Sequence, residues 1–531
     1  MSLKPYLFLF VCLILTVGCE SSTLEKTNHF SLPLNHEMTV EISSEEIEFG
    51  TAKVTEDFHT ISEDKSYHYE LLKKKDVVGQ LTITIRTLDN QDQMIFSRLD
   101  NFVDEHLIIS VSLPVGNVNR YELVDFDQIF IEREHDSTLG IDPTTYPIGL
   151  FDLYFYEDFR YSFFASKNYI SKQLSLDYEN GGFSTLRDLV EENKQFSTKV
   201  NDQQLLLELP LHSYGSDISE SWFMISSERL FEEKEHLNEW VEHSNRNYAH
   251  INKWLTPDGN YKKLPWSIEP FTKLGYGRNI GSMQDKLALD NYEATSERFF
   301  YNLTMNSVVM LEAYQKENED VWMTEYTSTW LKNSYETIAP FVDTRHNENV
   351  ALFLTRVGNR FNIDELKDSH LNYANYLLEQ VEVGNTFPIG QETFFIADYY
   401  SPHPGTMMTH ASLNHILGGI NFLLDSYFYT SNNDYLELAM IMRSGIEELG
   451  ENWIRDNGDL WYQINPDLTF TGNDYEQLTL YDLLLSQQKW EAVGLDRSKL
   501  FDTLITSKMR YLYSQNKTLI PLIEEMLADQ E

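Results

Sequence analysis

The sequence predicts a multidomain β + α protein: an N-terminal β-sandwich-like region followed by an incomplete (α/α) toroid of helical hairpins. Three observations carry that reading. Before about residue 225, apolar and β-branched residues alternate, as in Val78–Ile85 and Leu107–Leu113, with turn residues at their ends. After it, apolar residues recur in steps of three and four, the helical spacing. Between the two, Glu228–Trp254 is charged and helical in pattern and marks the change.

In chain order, Lys4 is the only charged side chain before an apolar run, Pro5–Val17. That run is too short to span a bilayer and suits the core of a signal peptide. It closes on Leu15-Thr16-Val17-Gly18-Cys19, which resembles a bacterial lipoprotein signal. Residues 1–18 would be removed and Cys19 lipidated. An ordinary secretory signal or an uncleaved anchor is the alternative. The chain has two cysteines, and Cys12 lies in the removed run. The mature fold is then expected to lack disulfides, Cys-held metals and a thiol nucleophile. Residues 19–36 read as a tether on the outer face of the cytoplasmic membrane.

Asp and Glu number 83 against 41 Lys and Arg, a net charge of −42. Nucleic-acid binding needs a basic footprint, so that partner is excluded. An aromatic content of 13% and long periodic stretches exclude disorder. The acidity reads as a solvated surface.

Residues 37–224 are expected to form the β-rich part. Residues 225–531 are expected to form the toroid. Early in that half, Gly275-Tyr276-Gly277-Arg278-Asn279-Ile280-Gly281 lacks the glycine spacing and the preceding strand of a dinucleotide site. It reads as a structured substrate loop, with Trp266 just before it. The window Ala249–Phe300 is nearly neutral and could line a cleft. Five apolar faces follow: Leu303–Tyr314, Trp330–Phe341, Tyr373–Val381, Leu413–Leu424 and Tyr435–Leu449. Short connections between them favour antiparallel hairpins, about four from Arg298 to Tyr513.

Four clusters could carry chemistry. Asp398-Tyr399-Tyr400, with His403, sits at a break between a β excursion (Thr386–Ile396) and a helix carrying Thr409–Gly419. It is either an acid–base group on a sugar or an aromatic turn that fills space. Arg345-His346-Asn347-Glu348 opens a helix. Arg345 either clamps a carboxylate in bidentate fashion or belongs to a polar helix start capped by Asp343 or Thr344. Trp461-Tyr462 and Asn473-Asp474-Tyr475-Glu476 flank a turn and read either as site or as core. His410 and His415 are five apart, so they do not share a helix face as a zinc pair would. No metal and no cofactor is expected.

The region from about Asn347 to Met509 resembles the C-terminal catalytic domain of D-glucuronyl C5-epimerases. The features are a helix ending Leu378-Glu379-Gln380, the turn Asp398-Tyr399-Tyr400, the helix with Leu417-Gly418-Gly419, and Gly458-Asp459-Leu460-Trp461-Tyr462 before Asp474-Tyr475. The resemblance implies a β module before a toroid, and inversion at C5 of a glucuronate within a polysaccharide. Asp398, Tyr399, Tyr400 and Tyr475 would be the catalytic groups. Ile464 stands where the family has an Arg, so Arg345, Arg278 or a group on another loop would meet the uronate carboxylate. Trp266, Trp461, Tyr462, His346 and His403 would contact the sugar. The expected partners are an anionic or uronate-containing polysaccharide and a membrane reached through the lipid anchor, with a homodimer left open. β-Elimination, glycoside hydrolysis on the same toroid, or glycan binding without catalysis are the rival functions.

Overall fold

The computed structural model describes residues 27–35, 38–128, 133–201, 203–315 and 321–528. The signal segment and Cys19 lie outside them. The fold mixes β and α, with long antiparallel strands up to Ser226.

Two sheets face each other in the N-terminal half. The smaller runs in the order 29–33, 39–43, 106–116, 204–214, 197–201, all antiparallel. Residues 29–33, expected as tether, are therefore an edge strand paired with 39–43. Alternation along His106–Gly116 and Gln204–Tyr214 sends Leu107, Ile109, Val111, Leu205, Leu207 and Leu211 to one face. That face packs on Leu81, Ile83, Ile95, Leu99, Phe163 and Phe223 of the larger sheet. This is the two-layer core that the period-2 pattern predicts.

The larger sheet is covered on its other face by helices. Here α1 is Lys234–Arg246, α2 Lys286–Thr295 and α3 Arg298–Gln315. Met94, Phe96, Trp222 and Met224 meet Leu237, Trp240, Phe299 and Leu303 in a second core. Ile218–Ser226 lies between the two cores, so every one of its residues is buried. Arg86 fastens sheet to helix. It donates to both Asp64 carboxylate oxygens (2.8 and 2.6 Å) and to Asn306 Oδ1 of α3 (2.6 Å).

The sheet does not end at residue 225. Trp254–Thr256, Gly259–Lys263 and Gly275–Arg278 extend it beside Phe183–Asn193. The glycine-rich stretch expected as a loop is in part this edge strand.

The helical half comprises α4 (Thr344–Phe361), α5 (Ser369–Glu382), α6 (Leu413–Thr430), α7 (Asn433–Leu449), α8 (Leu478–Ala492) and α9 (Lys499–Ser514). Consecutive members pack as α4/α5, α6/α7 and α8/α9, while α4, α6 and α8 also touch one another in turn. Helix α3 shares a core with α4 through Val308, Val309, Val350 and Phe353. The result is an arc of inner helices α3, α4, α6 and α8 backed by an outer set. No helix among the described residues is long and apolar enough to cross a membrane.

Trp330–Phe341 is not one helix. It is a short helix, Thr329–Tyr335, followed by a strand, Phe341–Asp343. Pro340 explains the change, because proline and its predecessor disfavour helix. The β excursion is a hairpin of Thr386–Pro388 with Phe394–Ile396. Gly384 leads into it at φ +75°, where glycine alone is unstrained.

Candidate active site

The starts of α4 and α6 converge because a short strand leads directly into each. Phe341–Asp343 precedes α4 and pairs with Tyr399–Tyr400; Ala411–Ser412 precedes α6 and pairs with the strand Trp461–Ile464. These pairings set Tyr399 beside Asp343 and bring Tyr462 to the same mouth.

Asp398 is wholly buried at the centre. The Ser412 amide donates to its two oxygens at 2.9 and 3.1 Å, and the Ser412 hydroxyl donates to Oδ2. His410 Nε2 lies 3.3 Å from Oδ2 and His415 Nδ1 lies 3.5 Å from Oδ1. Burial alone would raise its pKa, but His415, His410 and Ser412 outweigh that and hold it below the usual carboxylate value. Asp398 is therefore an ionised carboxylate that organises two imidazoles.

The two histidines come together after all. Helix α6 begins at Leu413, so His410 stands on the extended lead-in and the five-residue helical spacing does not apply. The surroundings favour one form of the His415 ring. Nδ1 lies 3.5 Å from the ionised Asp398 Oδ1 and 2.8 Å from the Thr344 hydroxyl, whose own hydrogen can go to the Asp398 carbonyl at 3.1 Å, so we assign the ring hydrogen to Nδ1. In the neutral ring Nε2 then carries the lone pair. Nothing among the described residues bonds to it.

Aromatic rings surround this group. Tyr399 lies 5.9 Å from the His410 ring and 6.4 Å from His415, centre to centre. Tyr462 is 6.2 Å from His410 and meets Tyr475 edge-on at 5.6 Å. Trp330, 45% exposed, lies 5.6 Å from His410. Burial, then Asp343, pushes the Tyr399 phenol well above its ordinary pKa; burial, then Asp398, does the same to Tyr462. Both are proton donors at neutral pH. Tyr475 is half exposed. Its carbonyl accepts from Lys508 Nζ (2.8 Å), which also holds Asp459 (2.6 Å) and Asp474 (2.7 Å). The acids flanking the two aromatic patches thus anchor the turn that presents Tyr475.

The other expected residues divide. Tyr400 pairs with Val342 and packs on the helical core. Trp461 lies under the Arg455 guanidinium, 4.9 Å from its ring centre. His346 is partly exposed at the start of α4, 3.7 Å from Asp343. His403 stays in the loop after Tyr400, and Trp266 neighbours His135 and Phe271 instead of the Asp398 group. The site tryptophan is Trp330.

The two arginines expected to meet a carboxylate are engaged within the protein. Arg345 donates to both Asp482 oxygens (3.1 Å each), to both Glu348 oxygens (3.1 and 3.0 Å) and to the Asn414 carbonyl (3.2 Å). Arg278 holds Glu325 through Nε (2.8 Å) and Nη2, and Asp258 through Nη1 (2.5 Å). Their forks are filled, so neither serves as the clamp. In the Arg345 group burial pushes Glu348 up and raises Asp482 to about 7, against the pull of Arg345.

No family model and no curated protein matches the chain. Solved structures with a similar course include cellobiose 2-epimerase from Bacillus thermoamylovorans, with a TM-score of 0.38 and 15% identity over 53% of this chain and 71% of that one. D-mannose isomerase has a TM-score of 0.34 and 13% identity over 53% and 70%. The GH76 α-mannanase of Bacteroides thetaiotaomicron has a TM-score of 0.31 and 12% identity over 44% of this chain and 59% of that one. Likenesses this low assign no activity to this chain.

Proposed function

We propose that the chain is a carbohydrate-active enzyme that moves a proton at a sugar carbon, as an epimerase or isomerase. The observation that carries this is the ionised Asp398 between two imidazoles, with His415 Nε2 left as a base. An imidazole nitrogen with a free lone pair is a common general base in proton transfer. The hedge of Tyr399, Tyr462, Tyr475 and Trp330 supplies rings for a sugar face and hydroxyls for its oxygens. Glycoside hydrolysis needs two reachable carboxylates, and the Asp398 oxygens are spent on Ser412 and the histidines.

The narrower form is inversion at C5 of a uronate in an extracellular polysaccharide, motivated by the resemblance at Asp398-Tyr399-Tyr400 and Asp474-Tyr475. That reaction gains from a cation at the substrate carboxylate. The engagement of Arg345 and Arg278 favours a second form, a neutral sugar reacting next to a carbonyl.

Incubating the full chain with glucuronate polymers and with neutral reducing sugars in deuterated water, read by NMR, separates the forms. Deuterium at C5 of a polymer supports the first, and deuterium beside the carbonyl of a reducing sugar supports the second. His415→Gln should slow either exchange by about 10²-fold or more. An unsaturated, ultraviolet-absorbing product would instead make the protein a lyase. Binding without exchange, unchanged in His415→Gln, would make it a glycan-binding protein.

For localisation the proposal is a lipid anchor at Cys19, motivated by the Gly18-Cys19 junction. Cys19→Ser should move the protein from the membrane to the soluble fraction on cell lysis. Unchanged partitioning would remove the anchor.

A further inference from the structure

We infer that Tyr335 is a second acid–base residue of this site, its phenol coupled through His410 to Asp398. The inference rests on the proton-transfer reading above and adds a catalytic group to it. Tyr335 ends the short helix Thr329–Tyr335 and is half-buried. Its hydroxyl lies 3.0 Å from His410 Nδ1. The other nitrogen of that ring, Nε2, lies 3.3 Å from Asp398 Oδ2, and the ring is fully buried.

The tautomer follows from the charge. Nε2 lies 3.3 Å from an ionised carboxylate, close without being aligned as a hydrogen bond, and that negative charge favours a hydrogen over a lone pair there, so in the neutral ring Nε2 carries the hydrogen. Nδ1 is then the acceptor, and the hydrogen on that contact belongs to Tyr335. Carboxylate, imidazole and hydroxyl succeed one another at 3.3 and 3.0 Å, the order of groups that activates a hydroxyl in other enzymes. Burial raises the Tyr335 pKa, so the phenol keeps its proton until His410 takes it.

The step balances. The Tyr335 O–H proton passes to His410 Nδ1 while the phenol oxygen takes a proton from the substrate carbon. The electron pair of the broken C–H bond moves onto the adjacent carbonyl or carboxyl oxygen. The imidazolium formed at His410 is stabilised against Asp398, which stays ionised. In this direction His415 enters with a proton on Nε2 and returns it to carbon; in the reverse direction its free Nε2 is the base. Exchange with water at His415, and at His410 through Tyr335, restores both rings. Asp398 and His410 act through Tyr335 and are positioning residues.

The test uses the full chain labelled with ¹⁵N-histidine. His410 should show a protonated Nε2 and a hydrogen-bonded, unprotonated Nδ1. Assignment comes from His410→Gln. In Tyr335→Phe the Nδ1 resonance should move to that of an unbonded nitrogen while His415 is unaffected, which also shows that the fold is intact. A protonated Nδ1, or no change in Tyr335→Phe, overturns the relay. With a sugar that exchanges deuterium, Tyr335→Phe should lower kcat by about 10²-fold or more with KM little changed. A wild-type exchange rate in that variant overturns the catalytic role. If no sugar exchanges, the proton-transfer reading fails, the catalytic role of Tyr335 falls with it, and the NMR result alone decides the hydrogen-bonded relay.

Discussion

Arg345→Met is expected to destabilise the helical half by about 3–5 kcal/mol, because it strands two buried carboxylates. Arg345 ties three inner helices together: it stands on α4, reaches the Asn414 carbonyl at the start of α6, and holds Asp482 on α8. Gly418 makes the approach feasible, since a Cβ there would lie 1.9 Å from Arg345 Nη1. Without the cation, Glu348 and Asp482 lose the guanidinium that pairs both, and Glu348 keeps only the weaker influence of His415 and Lys286.

The sign with pH follows. Both carboxyls already have folded pKa values raised by burial, Asp482 to about 7. A raised carboxyl stabilises the fold fully below its unfolded value, near 4, and that contribution is lost as pH rises through the folded value. Removing Arg345 raises both further, so the deficit of the variant should be largest at pH 8 and shrink towards pH 5. Urea unfolding at the two values measures it. A substrate clamp would give the opposite pattern, a raised KM with stability intact at both.

Much of the helical half was legible because burial writes itself into spacing. Apolar steps of three and four give the faces of α3, α5, α6 and α7, and each of those helices buries most of that face, with Val381 at the end of α5 left exposed. The Trp330–Phe341 face failed because a short helix and the strand after it mimic one longer period. That failure hid Tyr335 and Trp330, which reach the site only through the break.

Asp398 could be singled out because an acid beside two tyrosines at a break is unusual in a core. Its partners could not. The sequence pattern places His410 and His415 on one helix, whereas the extended lead-in through Ser412 turns His410 back on the carboxylate. Arg345 and Glu348 are near in sequence, but Asp482 is far along the chain, and only packing of α4 against α8 reveals that the guanidinium is filled. Long-range charge pairing leaves no local periodicity to read.

Asp398→Asn is expected to abolish sugar proton exchange, with a loss of about 10³-fold or more in kcat. The amide keeps the size of the carboxylate but presents hydrogens where His410 now presents one. To avoid two donors facing each other, His410 must move its hydrogen to Nδ1 or turn away. Either change removes the acceptor from Tyr335. His415 also loses the anion that stabilises its protonated form, so it becomes a weaker base and its protonated form is less populated. Stability should fall by a smaller amount, about 1–3 kcal/mol, because the Ser412 amide keeps a carbonyl oxygen at the Oδ1 position and the Ser412 hydroxyl can turn to accept from the new NH2. Wild-type Asp398 has a depressed pKa, so its share of stability is present above the unfolded carboxyl value and is lost as pH falls through the folded one. The variant should therefore lose that part of the acid-induced drop. Deuterium exchange gives the first effect and acid unfolding of the two proteins gives the second. An Asp398→Asn protein that exchanges at the wild-type rate would remove Asp398 from the mechanism and leave the histidines as bystanders.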